Sequence, residues 1–464
     1  VNTLPPLAIP RSLLDPGLPL GPPDADGLVR VRITQREGRV TALVPFAGPE
    51  PEEGIPLALT PLVEAHAHLD KAFTALAHRN GSGSMEEAMV VNRREAEQRT
   101  AEAVRARAER ALEQAWRYGL RAMRSHIDSL GPWATPCWEV LGELRQRWAG
   151  RVDLELVALV PLQHWLTPEG EGQARRIAAC GGLLGGVLGP PYRPDGRDGE
   201  ALRALLALAE RQGCGVDLHV DESAQPPPRG LLVLHRLLRD QRPSVAITAS
   251  HASSMGLLRN RDLRCLADRL AEAEVGVVAL PATNLWLLDR DPERTPSRRP
   301  LAPIRQLQAA GVTVAVGGDN VQDAWFPGGD FDPIELIRLA TISSHLLPWQ
   351  RAGLAPLTTA PARLLNLTWD GVLRIGGPAD LVVLAARSWT EVLARSPQRR
   401  VLRAGAWLPP PQSEAPSPLL RAFPPTVCDV DAGSERHPAP TPLDALPCPP
   451  PPAASSLGRA DARP

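Results

Sequence analysis

Val216-Asp217-Leu218-His219-Val220-Asp221-Glu222, a helix-like stretch over 230–242, and Val245-Ala246-Ile247-Thr248-Ala249-Ser250-His251 follow one another in this chain. Both outer runs are short and apolar, and each ends on residues able to do chemistry. A buried strand, a helix and a second buried strand in that order make a parallel β-α-β unit. The alternation continues in both directions. Leu57–Val63, 154–160, 275–280 and 312–316 read as further buried strands. The arginine- and alanine-rich stretch 85–120 reads as one long helix that feeds Leu120-Arg121-Ala122-Met123-Arg124-Ser125-His126-Ile127-Asp128. Such a pattern over 59–365 predicts an α/β domain, and its length suits an eight-stranded (β/α)8 TIM-like barrel, typically about 250 residues plus insertions. A doubly wound sheet is the alternative, but no glycine-rich nucleotide loop follows the first strand.

The flanks differ. Leu28-Val29-Arg30-Val31-Arg32-Ile33 largely alternates apolar and polar, and 40–44 is a second short β-branched run. Matching runs return at 371–375, 379–384 and 400–403. They read as half-exposed antiparallel strands. Residues 1–58 and 366–409 are therefore expected to form one small β-domain from both chain ends. Residues 410–464 include Pro449-Pro450-Pro451-Pro452, and this composition predicts a disordered tail.

Composition narrows the function. The 464 residues carry a net charge of −1, which gives no footprint for nucleic acid or an acidic membrane surface. No run of about twenty apolar residues suggests a membrane span. Residues 1–20 lack the basic start and apolar core of a signal peptide. The six cysteines show no Cys-x-x-Cys spacing, so neither a zinc finger nor a redox pair is indicated. A cytoplasmic enzyme is the expectation. Lys71 is the only lysine among 51 basic residues. It stands in His66-Ala67-His68-Leu69-Asp70-Lys71, where a compact donor differs physically from arginine's flat fork.

The chemistry-bearing residues gather at strand ends. His66 and His68 are two apart and so share one side of a strand. His219 and Glu222 end one run, His251 ends another, and Asp319 follows 314–316 behind Gly317 and Gly318. Singly, such a histidine is usually a hydrogen-bonded core residue and such an aspartate a helix cap. Together, at strand ends that face the active centre of a barrel, they form a nitrogen and carboxylate set suited to Zn²⁺ or Fe²⁺.

The order His-x-His, His-x-x-Glu, Thr-Ala-Ser-His and Gly-Asp resembles the amidohydrolase superfamily, in its cytosine deaminase-like mononuclear branch. Leu218-His219-Val220-Asp221-Glu222, Thr248-Ala249-Ser250-His251 and the stretch from Asp319-Asn320-Val321 to Trp325-Phe326-Pro327 carry the resemblance. It implies a distorted (β/α)8 barrel with a small β-sandwich from both chain ends, and a hydrolase acting on carbon–nitrogen bonds other than peptides. It implies that His66, His68, His219 and Asp319 hold one divalent metal, Fe²⁺ or Zn²⁺. A metal-bound hydroxide would then attack a small cytosine-like heterocycle, with Asp319, His251 and Glu222 as proton-handling groups. A homo-oligomer is compatible with the resemblance.

The departures all touch substrate contacts. Lys71 stands where bacterial cytosine deaminase has threonine, and Asp319 is flanked by Gly318 and Asn320 instead of histidine and aspartate. The glutamine candidate, Gln163, is one residue displaced. Lys71, Gln163, Asn320 and Trp325 are the substrate-binding candidates, and His126 and Asp128 mark a second-strand pocket wall. The Asp70-Lys71 pair looks like ammelide-type hydrolases, so removal of an amine or N-alkyl amine from a triazine-like ring is the alternative reaction. A non-catalytic metal-stabilised binding protein is the alternative from another class.

Overall fold

A computed structural model describes residues 1–193 and 196–409. The proline-rich tail expected at 410–464 lies outside them. Eight parallel strands run through the middle of the chain: β1 (Leu62–Ala67), β2 (Leu120–Asp128), β3 (Asp153–Leu159), β4 (Leu184–Leu188), β5 (Val216–Val220), β6 (Ile247–His251), β7 (Gly276–Ala279) and β8 (Val314–Val316). Helical segments separate consecutive strands and Pro333–Ser344 follows the last, an α/β architecture. Ladders join β1 to β3 and β4 to β8 in sequence order. Parallel bridges Val157↔Leu183 and Pro161↔Val187 connect β3 with the β4 side, and Ala67↔Asp319 connects the end of β1 with the segment after β8. Asp319 N–H donates to the His66 carbonyl at 2.9 Å across that second seam.

Sequence reading does not single out β4, Leu-Gly-Gly-Val-Leu, because its glycines hide the apolar pattern. They are there for space. A Cβ on Gly185 would sit 2.5 Å from the Asp217 carbonyl and 2.6 Å from that of Ala158. The helices follow their apolar stripes: Arg229–Asp240 buries Leu231, Leu234 and Leu238 at helical spacing and leaves Arg236 and Arg239 outside.

The long helix expected over 85–120 is two. Helix α1 (Met85–Gln98) ends at Arg99, and α2 (Ala101–Tyr118) starts behind Thr100, whose hydroxyl accepts from Ala103 N–H. Helix-favouring composition gives way here to a buried charge. Arg99 is drawn inward, bonding Glu95 through Nε at 2.9 Å and Asp70 through Nη1 at 3.4 Å.

The chain ends supply two antiparallel sheets. One contains Asn2–Thr3, Leu7–Pro10, Leu28–Arg36 and Arg39–Pro45; the other contains Ala58–Leu59, Leu381–Leu384, Arg399–Arg403 and Ala406–Trp407. In Leu28–Arg36, Val31 and Ile33 are buried while Arg30 and Arg32 are exposed, the expected alternation. The strand expected at 371–375 is reduced to one bridge, Leu373↔Leu14. No helix among the described residues is long and apolar enough to cross a membrane.

Asp332 joins the C-terminal sheet to the helix after β8. Its carboxylate accepts from Ile334 N–H at 2.8 Å as an N-cap. It also takes both arms of Arg399, at 2.5 and 2.6 Å. Both residues are buried. Asp332→Ala should lower stability by about 3 kcal/mol, since it leaves a buried guanidinium unpaired and an uncapped helix. The shift in urea midpoint measures this, and adding Arg399→Leu should recover part of the loss.

Candidate metal centre and active site

The strand ends converge. His66 lies in β1 and His68 just beyond it; His219 is in β5, His251 closes β6, and Asp319 follows β8. All five are buried. His251 and Asp319 hold left-handed backbones, φ 69° and 63°. Such strain in residues other than glycine tends to mark functional positions.

His66, His68 and Asp319 form one group whose ligand atoms lie within 4.8 Å of one another; His66, His219 and His251 form another. Asp319 Oδ1 is 3.5 Å from His66 Nε2 and 3.2 Å from His68 Nε2. His68 Nε2 is 3.4 Å from His219 Nε2. A tetrahedral ion with ligand bonds of about 2.0–2.1 Å has ligand–ligand edges of about 3.4 Å. His66 Nε2 and both Asp319 carboxylate oxygens have no hydrogen-bond partner among the described residues. Burial and then the neighbouring imidazoles hold His66 and His219 well below the usual histidine range. Burial pushes Asp319 up, but the close approach of the His68 and His251 rings outweighs that and leaves it lowered. Neutral imidazoles and a carboxylate are the forms a cation requires. The residues present therefore fit a divalent metal.

Two contacts set ring tautomers. Ser250 Oγ–H donates to Asp217 Oδ1 at 2.7 Å, so its oxygen receives the His66 Nδ1–H at 2.9 Å. The lone pair of His66 is then on Nε2, aimed at Asp319. Asp217 is held in turn by Arg124 Nη1 at 2.7 Å, and Arg124 Nε donates to Glu155 at 2.6 Å. On the other side the Asn284 amide donates to His251 Nδ1 at 2.9 Å, which places the His251 proton on Nε2. Burial lowers His251 to about 4, so it is neutral.

Glu64, which sequence reading missed, braces the loop that carries Asp319. Its carboxylate accepts from His66 N–H at 3.0 Å and, through both oxygens, from Gly318 N–H at 3.0 Å. A Cβ on Gly317 would lie 2.9 Å from Glu64 Oε1. The double glycine before Asp319 thus makes room for this acid. Burial, joined by the Asp319 charge, pushes Glu64 up to about 8. Its signal was present: Glu64, His66 and His68 share one strand face.

Glu222 Oε1 is 3.6 Å from His251 Nδ1 and its side chain stays 19% exposed. Burial and the Asp319 charge raise it to about 8. Lys71 is buried and donates from Nζ to Asp128 Oδ1 at 2.8 Å. Asn320 is buried, donates to Asp323 Oδ2 at 2.7 Å and receives the Thr283 hydroxyl at 3.5 Å. Trp325 packs beside Ala324, Ala88 and Val91 of α1. Gln163 donates to Asp198 Oδ1 at 3.0 Å, beyond the end of β3. His126 stacks on His66 with centroids 3.9 Å apart.

Residues 78–406 match the family model described as "Amidohydrolase family". The chain is 34% identical to the pterin deaminase of Rhizobium rhizogenes over 82% of its own length and 89% of that protein. The chain belongs to the amidohydrolase family. It is a hydrolase. It is also 23% identical to N-isopropylammelide isopropyl amidohydrolase of a Pseudomonas species, over 70% of this chain and 79% of that one. Among solved structures, 5-methylcytosine deaminase from Klebsiella pneumoniae with 5-fluorocytosine superposes with a TM-score of 0.73 at 25% identity, covering 84% of this chain and 96% of that one.

Ser250 makes no direct approach to the ligand atoms, so its removal tests the hydrolase's support of His66. Ser250→Ala should weaken metal retention about 10- to 100-fold, as loss of a ligand's outer hydrogen bond commonly does. Competition with a chromophoric chelator measures it.

Proposed function

We propose that the enzyme hydrolytically deaminates a small amino-substituted nitrogen heterocycle, releasing ammonia and leaving a ring carbonyl. The observation that carries this is Glu222, a half-buried acid pushed up to about 8, which stands 3.6 Å from His251 beside the His/His/Asp cluster. The 34% identity to a pterin deaminase favours a bicyclic aminopterin-like ring over the cytosine suggested by sequence motifs alone. The Asp70-Lys71 pair and the ammelide-hydrolase relative support a second reading, removal of an N-alkyl amine from a triazine-like ring. We take the eight strands and their helices, 59–365, as a closed (β/α)8 barrel and 1–58 with 366–409 as a β-sandwich. Four free cysteines among the described residues suit a reducing, cytoplasmic setting.

In this reading His66, His68, His219 and Asp319 hold one divalent metal, Zn²⁺ or Fe²⁺. When bound, such an ion acidifies water and polarises the reacting centre. Asp319 accepts a proton from the attacking water. His251 donates from Nε2 to the incoming oxygen and fixes its approach. Glu222 gives its proton to the ring nitrogen next to the attacked carbon. The carbon–nitrogen bond to the amine then breaks: the proton taken by Asp319 leaves with the amine as ammonia, and the hydroxyl proton returns to Glu222 as the ring carbonyl forms.

Two outcomes test the assignment. Glu222→Gln should keep its metal, measured by elemental analysis, and lose turnover by about 10²- to 10⁴-fold. In the native enzyme Glu222 works protonated, and burial raises it to about 8. The acid form is therefore present below that value, and kcat/KM should fall as pH rises through it. Ammonia release across a pH series reads the limb.

A further inference from the structure

Lys71 invites the idea of a cation that holds the substrate, but its ammonium is already committed. It is 4% exposed and pairs with Asp128 at 2.8 Å. Arg99, 2% exposed, stands 3.6 Å from the other Asp128 oxygen. Asn92 of α1 donates to that same oxygen at 3.3 Å. The Asp128 backbone N–H is fixed by Asp70 at 3.0 Å. Two buried cations and the Asn92 amide thus hold this carboxylate still.

That carboxylate is the accessible member of the group. Asp128 keeps 26% of its side-chain surface open, against 2–4% for Lys71 and Arg99 and none for Asp70. Beside His251, Glu222 keeps 19% of its side-chain surface open, while Asp319 keeps 1%. Asp128 ends β2 two residues after His126, so both lie on one strand face, and His126 stacks on His66. A ring seated against the histidines would then have Asp128 on one strand-end wall. A carboxylate offers about four acceptor directions and no donor. Lys71, Asn92 and the more distant Arg99 use part of that capacity from the buried side.

We propose that Asp128 is a specificity-determining residue that accepts hydrogen bonds from ring N–H groups or an exocyclic amine of the substrate, and that Lys71 and Arg99 act through it as positioning residues. The subsite selects neutral heterocycles with an unsubstituted amidine- or guanidine-like edge. It rejects rings alkylated on that edge and rings that carry negative charge. This rests on the deaminase reading for the identity of the ring, while the role of Asp128 is read by binding.

The test uses the metal-loaded Glu222→Gln protein, which holds ring without consuming it. The probes are 2-amino-4-oxopteridine and cytosine, each with derivatives methylated at one ring nitrogen at a time, titrated calorimetrically. At least one methylated derivative should bind about 30-fold or more weakly than its parent, the scale of a hydrogen bond to a charged group. Asp128→Asn in that background should bring the ratio below about 3 with metal content unchanged. Asp128→Glu keeps the counter-charge for Lys71 and Arg99, so a merely structural carboxylate would leave the ratio as it was. The proposal requires that ratio to fall about tenfold. It is overturned if no methylated derivative is discriminated, or if the ratio survives Asp128→Glu. Ammonia release by the native enzyme is read in parallel. Release without discrimination removes the subsite and keeps the deaminase, and discrimination without release does the reverse. If neither is seen, both are overturned.

Discussion

Burying five imidazoles and a carboxylate against one another is the constraint around which this molecule is arranged. Each buried polar atom left without a partner costs about 1–3 kcal/mol. His66 Nε2, His251 Nε2 and both oxygens of Asp319 are in that position among the described residues. A divalent cation, or a substrate and water, would offset the cost, whereas the apolar core cannot. The surrounding charges are therefore kept from collapsing onto the cluster. Arg124 is bound to Asp217, Glu155 and the Leu364 carbonyl, which leaves it no free arm toward the histidines. Lys71 and Arg99 are bound to acids on the other side. Neutral imidazoles follow first from burial and then from the mutual repulsion of the rings.

The same constraint explains what could be read from the sequence. His66, His219, His251 and Asp319 were legible because each is a polar residue at the end of an apolar run, and strand ends in parallel sheets face one way. Their roles as a set follow from the convergence of β1, β5, β6 and β8. Glu64 was obscured by the opposite circumstance, a lone acid inside an apolar strand whose partner, Gly318, is 254 residues away. Arg99 was similarly hidden, since composition alone favours a helix straight through it. The break there is decided by Asp70, on another element. β4 was lost because the backbone of β5 comes too close to admit a side chain at Gly185.

Lysine at position 71 now has a physical reason. Its ammonium sits in a buried slot against Asp128 Oδ1, with Asp70 near enough that the two acids together hold it charged against the cost of burial. The planar partner of this region is already Arg99, whose fork spans Glu95 and Asp70. A second fork at 71 would need a second flat acceptor surface, and it would press on the open side of Asp128. A slim point charge pins one carboxylate oxygen and occupies little else. In a chain that uses arginine at every other basic position, the exception falls where a cation has to stabilise an acid and still leave that acid a face for something else to touch.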